Sequence, residues 1–213
     1  MIGAIMIEMN DIIERAAPDL GRARLAGAAG VLPRQDIRTL VRRKVIRTNA
    51  DEIAETQLQP ASIDLRLGSR AFRVRASFLP GPNKHVAEVL TELAHDEFSL
   101  DNGAILERGC VYVVELMEQL HNLPDTISAF ANPKSSTGRL DVFTRLIADK
   151  VAVFDTVHGG YTGKLYAEIS PSSFSIKVRK GSRLNQLRFR RRTSNQEETL
   201  SGRVSDKQLK ETH

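Results

Sequence analysis

Apolar residues recur with a period of two through most of this chain, and with a helical period only near its start. After Leu32, Pro33 suits a first helical position, and Ile37, Leu40 and Val41 fall at i, i+3 and i+4. This predicts a short helix with Arg38, Arg42 and Arg43 on its outer, solvated face. From residue 58 the pattern changes. Ile63, Leu65 and Leu67 alternate with Asp64 and Arg66, the period of a half-buried strand, and Gly68 reads as its end. Residues 84–95 read as helical or irregular. Apolar runs over 98–100, 104–107, 110–117, 127–131, 140–147, 165–169, 174–178 and 184–189 predict strands, and Asp101-Asn102-Gly103 is a turn signal. Many short strands with few helices predict a mainly β barrel or sandwich.

Two stretches fall outside this pattern. Residues 1–30 read as a flexible or helical extension, and residues 193–213 as a polar tail or linker. The 213 residues then hold one domain, over residues 31–192. No stretch approaches the roughly 20 apolar residues of a membrane span. The apolar start, Met1 to Met9, carries Glu8 and lacks a basic leader, so the chain is expected to be cytoplasmic.

Composition narrows the chemistry. The single cysteine, Cys110, excludes an intrachain disulfide and the multi-cysteine zinc site of the common cytidine deaminases. Its apolar run, Cys110 to Val114, predicts a buried small hydrophobe rather than a nucleophile. The formal net charge of +5 comes largely from clusters at 38–44 and 188–192. Nucleoside triphosphates and nucleic acid both suit that charge. Aromatic residues are 5% of the chain with no tryptophan, so a stacking platform for single strands would be sparse. No helix-turn-helix accompanies the Arg38 helix either. Nucleic acid is therefore not the expected partner.

Three segments carry candidate chemistry. In Gly160 to Ile169 a glycine-bounded turn feeds a strand with Leu165, Ala167 and Ile169 on one face. Lys164, Tyr166, Glu168 and Ser170 share the other, so Glu168 projects away from the apolar face. In Lys134-Ser135-Ser136-Thr137-Gly138-Arg139, two cations, three hydroxyls and a turn-permitting glycine could wrap phosphate. It is not a Walker loop, whose residue order is absent. In Gln59 to Gly68, Asp64 and Arg66 share a strand face, which suggests an ion pair between them.

Together these segments resemble the dCTP deaminase family of the dUTPase-like superfamily. Q-P-A-S-I-D-L-R-L-G at Gln59 to Gly68 is close to that family's early strand. Lys134 to Leu140 resembles its R-S-S-x-x-R-L loop, with lysine replacing the first arginine. Gly160-Tyr161-x-Gly163 followed by Glu168 resembles its G-[YFW]-x-G and A/L-E strand. Arg179-Lys180-Gly181 through Gln186-Leu187-Arg188-Phe189 resembles its R-x-G…Q-L-x-F ending. The wording is closest to the first half of a long, tandem bacterial form.

The resemblance implies a dUTPase-like (β-clip) distorted β-barrel with a short N-terminal helical region, acting as a zinc-free hydrolytic dCTP deaminase that yields dUTP. Glu168 would carry protons between water and the leaving amine, Ser135 would hold the water, and Arg139 would orient Glu168 or stabilise developing charge. Lys134, Ser136, Thr137 and Gly138 would contact the triphosphate, with Gln186 beside them. Asp155 is a shifted match for the sugar contact, and backbone groups of Tyr166 and Ala167 would read the base edge. Mg²⁺ would ride on the triphosphate, with no metal held by the protein itself. Family members assemble as homotrimers with sites at subunit boundaries. Hydrolysis of dUTP, alone or coupled, and a non-catalytic nucleotide-binding half of a longer enzyme are the alternatives.

The chain departs from the family's wording in three places. Val153 to Tyr161 stands where H/A-x-R-I-D-P-G-[YFW] is usual, so the base-reading His or Arg and the proline are missing. The stretch from Arg139 to Gly160 is longer than in the short forms. The tail after Arg192 lacks the Tyr, Lys and Q-G elements that close over phosphates in the short forms.

Overall fold

A computed structural model describes residues 29–49 and 52–192. The extension expected over most of residues 1–30 and the tail after residue 192 lie outside the described residues. Within them the chain is mainly β, as its alternating pattern predicts. One sheet runs β1 (Gly30–Val31), β13 (Asn185–Arg191), β8 (Ile127–Pro133), β10 (Thr156–Val157), with β3 (Ile63–Leu65) also pairing β13. The second runs β5 (Ala94–Ser99), β4 (Leu67–Val74), β7 (Val111–Leu120), β11 (Gly163–Pro171), β9 (Val142–Ala148), with β2 (Ile46–Thr48) also on β7. A third, of two strands, pairs β12 (Ile176–Val178) with β6 (Ala104–Leu106). The strand order of neither large sheet closes on itself, so the barrel is open.

The period-two pattern sorts side chains between two hydrophobic clusters. Leu165, Ala167 and Ile169 of β11 join Leu187 and Phe189 of β13 and Ala129 and Ala131 of β8 in the main core between the large sheets. The opposite face of β11 is covered over its middle, at Tyr166 and Glu168. There Tyr166 packs with Phe72, Val113 and Ile147 beneath Val86 and Leu90 of a helix, α2 (Val86–Leu93), with Phe78 and Phe154 at the margin. Most of the stretch 84–95 is thus a helix that feeds directly into β5, and it covers Tyr166 on the sheet face from which Glu168 also projects.

Helix α1 (Arg34–Arg42) buries Ile37 and Leu40, as their spacing predicts. Pro33 is its N-cap rather than its first helical residue. Its basic face is partly tied down: Arg38 Nη2 and Arg34 Nη2 both reach Glu55 Oε2, at 2.7 and 3.2 Å.

The early strand differs from expectation in two ways. It does not stop at Gly68 but continues as β4 to Val74. Its polar positions are also buried, with Asp64 1% and Arg66 8% exposed. Burying a charge requires a partner, and the partners are not each other. Asp64 pairs with Lys134 Nζ, while Arg66 donates from Nε to Glu118 Oε1 at 2.7 Å. Glu118 also accepts from the Arg66 amide at 2.7 Å and from Gln57 Nε2 at 2.8 Å. Arg66 is the residue at which the chain passes from the first sheet into the second, so this cluster braces the crossing.

Cys110 is half-buried against the core, but its thiol also meets a cation: Arg73 Nη2 lies 2.9 Å from Sγ. That environment is less apolar than its sequence neighbours imply.

Candidate active site

Glu168 sits on an interior strand of the second sheet, in register with Val113 of β7 on one side and Arg145 of edge strand β9 on the other. Directly opposed residues share a sheet face, so the Arg145 guanidinium comes beside the carboxylate. Nε and Nη2 of Arg145 lie 3.1 and 2.7 Å from Glu168 Oε1. The glutamate is 2% exposed, and its other oxygen, Oε2, is buried without a hydrogen-bond partner among the described residues. A buried charge is tolerated when paired, and the pair here is with Arg145. Arg139, expected to orient Glu168 or to stabilise developing charge, lies exposed at the end of helix α3 (Ser135–Arg139).

Asp155 lies close by, in the turn after β9. Its backbone is left-handed (φ 59°), a conformation Asp tolerates better than most residues. Its Oδ1 accepts from the Leu146 amide at 2.7 Å. Burial pushes this carboxyl above its ordinary value of 3.8, and the charge of Glu168 adds to the rise, against the Leu146 bond and Arg145. Tyr166 is buried one pleat along from Glu168, and burial likewise pushes its hydroxyl upward. Tyr166 and Ala167 are each in register with β7 and β9, so their backbone groups serve two ladders; the pairing with β7 shifts between Lys164 and Tyr166.

The polar loop of the sequence is a short helix. Lys134 is the N-cap of α3, and Gly138 is helical, so its conformational freedom is not used there. Thr137 turns inward and donates from Oγ1 to the Leu184 carbonyl at 2.9 Å. Lys134, Ser135 and Ser136 face outward instead, into an open cavity of about 500 Å³ that Gln186 and Arg188 of β13 also line. Antiparallel pairing of β13 with β8, Gln186 opposite Asn132, brings these two stretches together. Ser62 donates to Gln186 Oε1 at 2.8 Å and orients that amide. Asp64, on the cavity wall, holds Lys134, with Arg183 Nη1 at 4.0 Å. Two cations, three serine hydroxyls and two glutamine amides around an open cavity, against the one carboxylate of Asp64, suit a polyanion.

The candidate residues therefore divide into two groups. Lys134, Ser135, Ser136 and Gln186 line one cavity, while Tyr166 and Glu168 lie on the covered face of the second sheet with Asp155 beside them in the turn after β9; Ala167, between them on β11, turns its side chain to the main core. Arg145, which sequence reasoning missed, joins the second group. Its alternation with Phe143 and Ile147 marks its face, but nothing in the sequence aligns β9 against β11. Among the described residues no group of three His, Cys, Asp or Glu side chains is placed to hold a metal. No described helix is long and apolar enough to cross a membrane.

Comparison with known proteins bears on what this arrangement serves. The family of 2′-deoxycytidine 5′-triphosphate deaminase N-terminal domains matches residues 28–193. The chain is similar to a crystal structure of 2′-deoxycytidine 5′-triphosphate deaminase from Agrobacterium tumefaciens, with 54% identity and a TM-score of 0.74. That match covers 78% of this chain and 49% of the other, so the chain spans about half the length of that relative. It is 32% identical over 151 residues to a dUMP-forming dCTP deaminase of Streptomyces coelicolor, covering 70% of this chain and 74% of the relative. A dUMP-forming dCTP deaminase of Persephonella marina is 27% identical over 165 residues, or 75% of this chain and 82% of the relative.

Proposed function

Because the chain belongs to the 2′-deoxycytidine 5′-triphosphate deaminase family, we propose that it hydrolyses the C4 amino group of dCTP, with Glu168 as the proton-carrying carboxylate. The observation that carries this reading is the state of Glu168: a buried carboxylate, held through one oxygen, with the other unpartnered among the described residues.

The reaction needs two proton transfers of the kind a single positioned carboxylate performs. As water oxygen adds to C4, its proton passes to the carboxylate and from there to N3, on which the electron pair of the C4–N3 double bond settles. The hydroxyl proton of the tetrahedral intermediate is then taken up and delivered to the amino group. The C4–N bond breaks, ammonia leaves, and the carbonyl of uracil forms. A dry, covered sheet face suits this chemistry because bulk water does not compete for the carboxylate.

The triphosphate belongs, in this proposal, to the cavity of Lys134, Ser135, Ser136, Gln186 and Arg188. Thr137 and Gly138 contribute through the helix they build, and Mg²⁺ arrives on the nucleotide as part of the substrate. Asp155 is the candidate sugar contact. The two groups of residues lie apart within one chain, so we place the complete site across a subunit boundary of a homotrimer. There Ser135 and Arg139 of one copy face Glu168, Tyr166 and Ala167 of the next.

Two names among the relatives favour a second reading. Both the Streptomyces coelicolor and Persephonella marina proteins are dUMP-forming, and a coupled enzyme would release pyrophosphate together with ammonia. Incubation of dCTP and Mg²⁺ with the chain, assayed for both products, separates the outcomes. Ammonia with dUTP supports deamination alone, and ammonia with pyrophosphate supports the coupled reaction. Binding of dCTP without either product identifies a nucleotide-binding half of a longer enzyme. Glu168→Gln abolishes ammonia release; turnover at the parent rate by that variant removes Glu168 from the mechanism.

A further inference from the structure

The Arg145–Glu168 contact is unsymmetrical, and the asymmetry has chemical content. An arginine fork commonly donates to both oxygens of a carboxylate. Here Nε and Nη2 both converge on Oε1, at 3.1 and 2.7 Å, and Oε2 is left buried and unpartnered. We infer that Arg145 is the positioning residue of Glu168: it holds Oε1 so that Oε2 is the oxygen that takes the proton from water. This rests on the reading of Glu168 as the proton carrier and adds which oxygen works and what selects it.

Three further contacts hold the guanidinium in this orientation. Arg145 Nη2 also donates to Ser77 Oγ at 2.6 Å, from the segment between β4 and α2. Its Cζ lies 3.7 Å from the Phe154 ring centroid and 4.9 Å from that of Phe143. Stacked arginines are pinned in plane and direction in a way a lysine ammonium is not. The carboxylate cannot turn to present both oxygens without breaking two charge-assisted bonds in a site where Glu168 is 2% exposed. The chain therefore supplies a guanidinium beside the carboxylate from β9, independently of Arg139.

The test uses the full chain and steady-state dCTP turnover in Mg²⁺. Arg145→Ala is expected to lower kcat about 100-fold, the scale of a misplaced reacting group, with KM within about threefold of the parent. Arg145→Lys keeps the charge but not the fork, and is expected to fall between the two. Phe154→Leu removes the stacking ring without leaving a buried charge unpaired. It is expected to lower kcat with KM unchanged, which keeps the test decisive should the alanine variant misfold. Unchanged kcat in Arg145→Lys and Phe154→Leu, with Glu168→Gln inactive, would overturn the positioning role alone. A rise in KM with kcat preserved would overturn it too, since Arg145 would then bind substrate. Parental turnover in Glu168→Gln, or no turnover by the parent, is instead the failure of the proposed function, and this inference falls with it.

Discussion

At Glu118 three donors meet on one fully buried carboxylate: the Arg66 guanidinium, the Arg66 amide and the Gln57 amide. Removing the charge from one partner of such a pair leaves the other's charge poorly compensated in a medium that does not screen it. Glu118→Gln is expected to cost about 3–5 kcal/mol, read as a lower urea midpoint at unchanged slope. Asp155 gives the opposite case, a carboxyl whose proton affinity folding raises. The native state then holds the proton more tightly than the unfolded chain, so this group's contribution is most favourable at low pH. It is lost as pH rises from 3.8 through the elevated folded value. Asp155→Asn keeps an oxygen for the Leu146 amide and removes the charge. Its melting temperature relative to the parent is expected to climb as pH rises above 3.8 through the elevated folded value. A difference independent of pH would show that burial of this carboxylate carries no such penalty.

Among the elements, β4 extends the sheet that holds Glu168, and α3 carries Lys134, Ser135 and Ser136. Pairing of β4 with β7 shifts register between Leu67 and Ala71, and Gly68 lies in that interval. A Cβ at Gly68 would stand 2.6 Å from the Glu115 carbonyl oxygen. Backbone cannot yield as a side-chain tip does, so Gly68→Ala is expected to destabilise by about 1–3 kcal/mol, measurable in the same urea experiment. The sequence marked this glycine as a strand end because glycine weakens strands; close approach of β7 is why it occurs inside one. Helix α3 sets Lys134, Ser135 and Ser136 on the cavity wall. With Glu168→Gln as a non-turning background, Lys134→Met is expected to weaken Mg²⁺·dCTP binding about tenfold or more by calorimetry, the worth of one charge-assisted bond. Unaltered affinity would assign Lys134 to Asp64 alone.

For the whole molecule, the separation of the cavity from Glu168 makes a testable statement about assembly. If the site spans two copies, mixing inactive Ser135→Ala and inactive Glu168→Gln subunits is expected to restore part of the ammonia release, because some boundaries then hold both intact halves. No recovery on mixing would place the whole site within one chain. Much of this molecule is legible in its sequence, and for physical reasons. Alternation of apolar residues named nearly every long strand, because side-chain direction along a strand is set by the backbone alone. The family wording likewise singled out Glu168 and the segment at 134–139. What the sequence could not settle were facts of register and cover. A two-residue strand such as β10 has too few positions to show a period. The alternation at Asp64 and Arg66 reads as half-buried because it cannot reveal that Lys134, 70 residues away at a helix N-cap, and Glu118, 52 residues away on β7, neutralise both charges. Glu168 is the sharpest instance. Its direction off the apolar face follows from counting along one strand, but Arg145 reaches it only through the pairing of β11 with β9, and Ser77 and Phe154 meet that guanidinium from other segments. Local backbone geometry determined where the carboxylate points; long-range pairing alone decided what holds it.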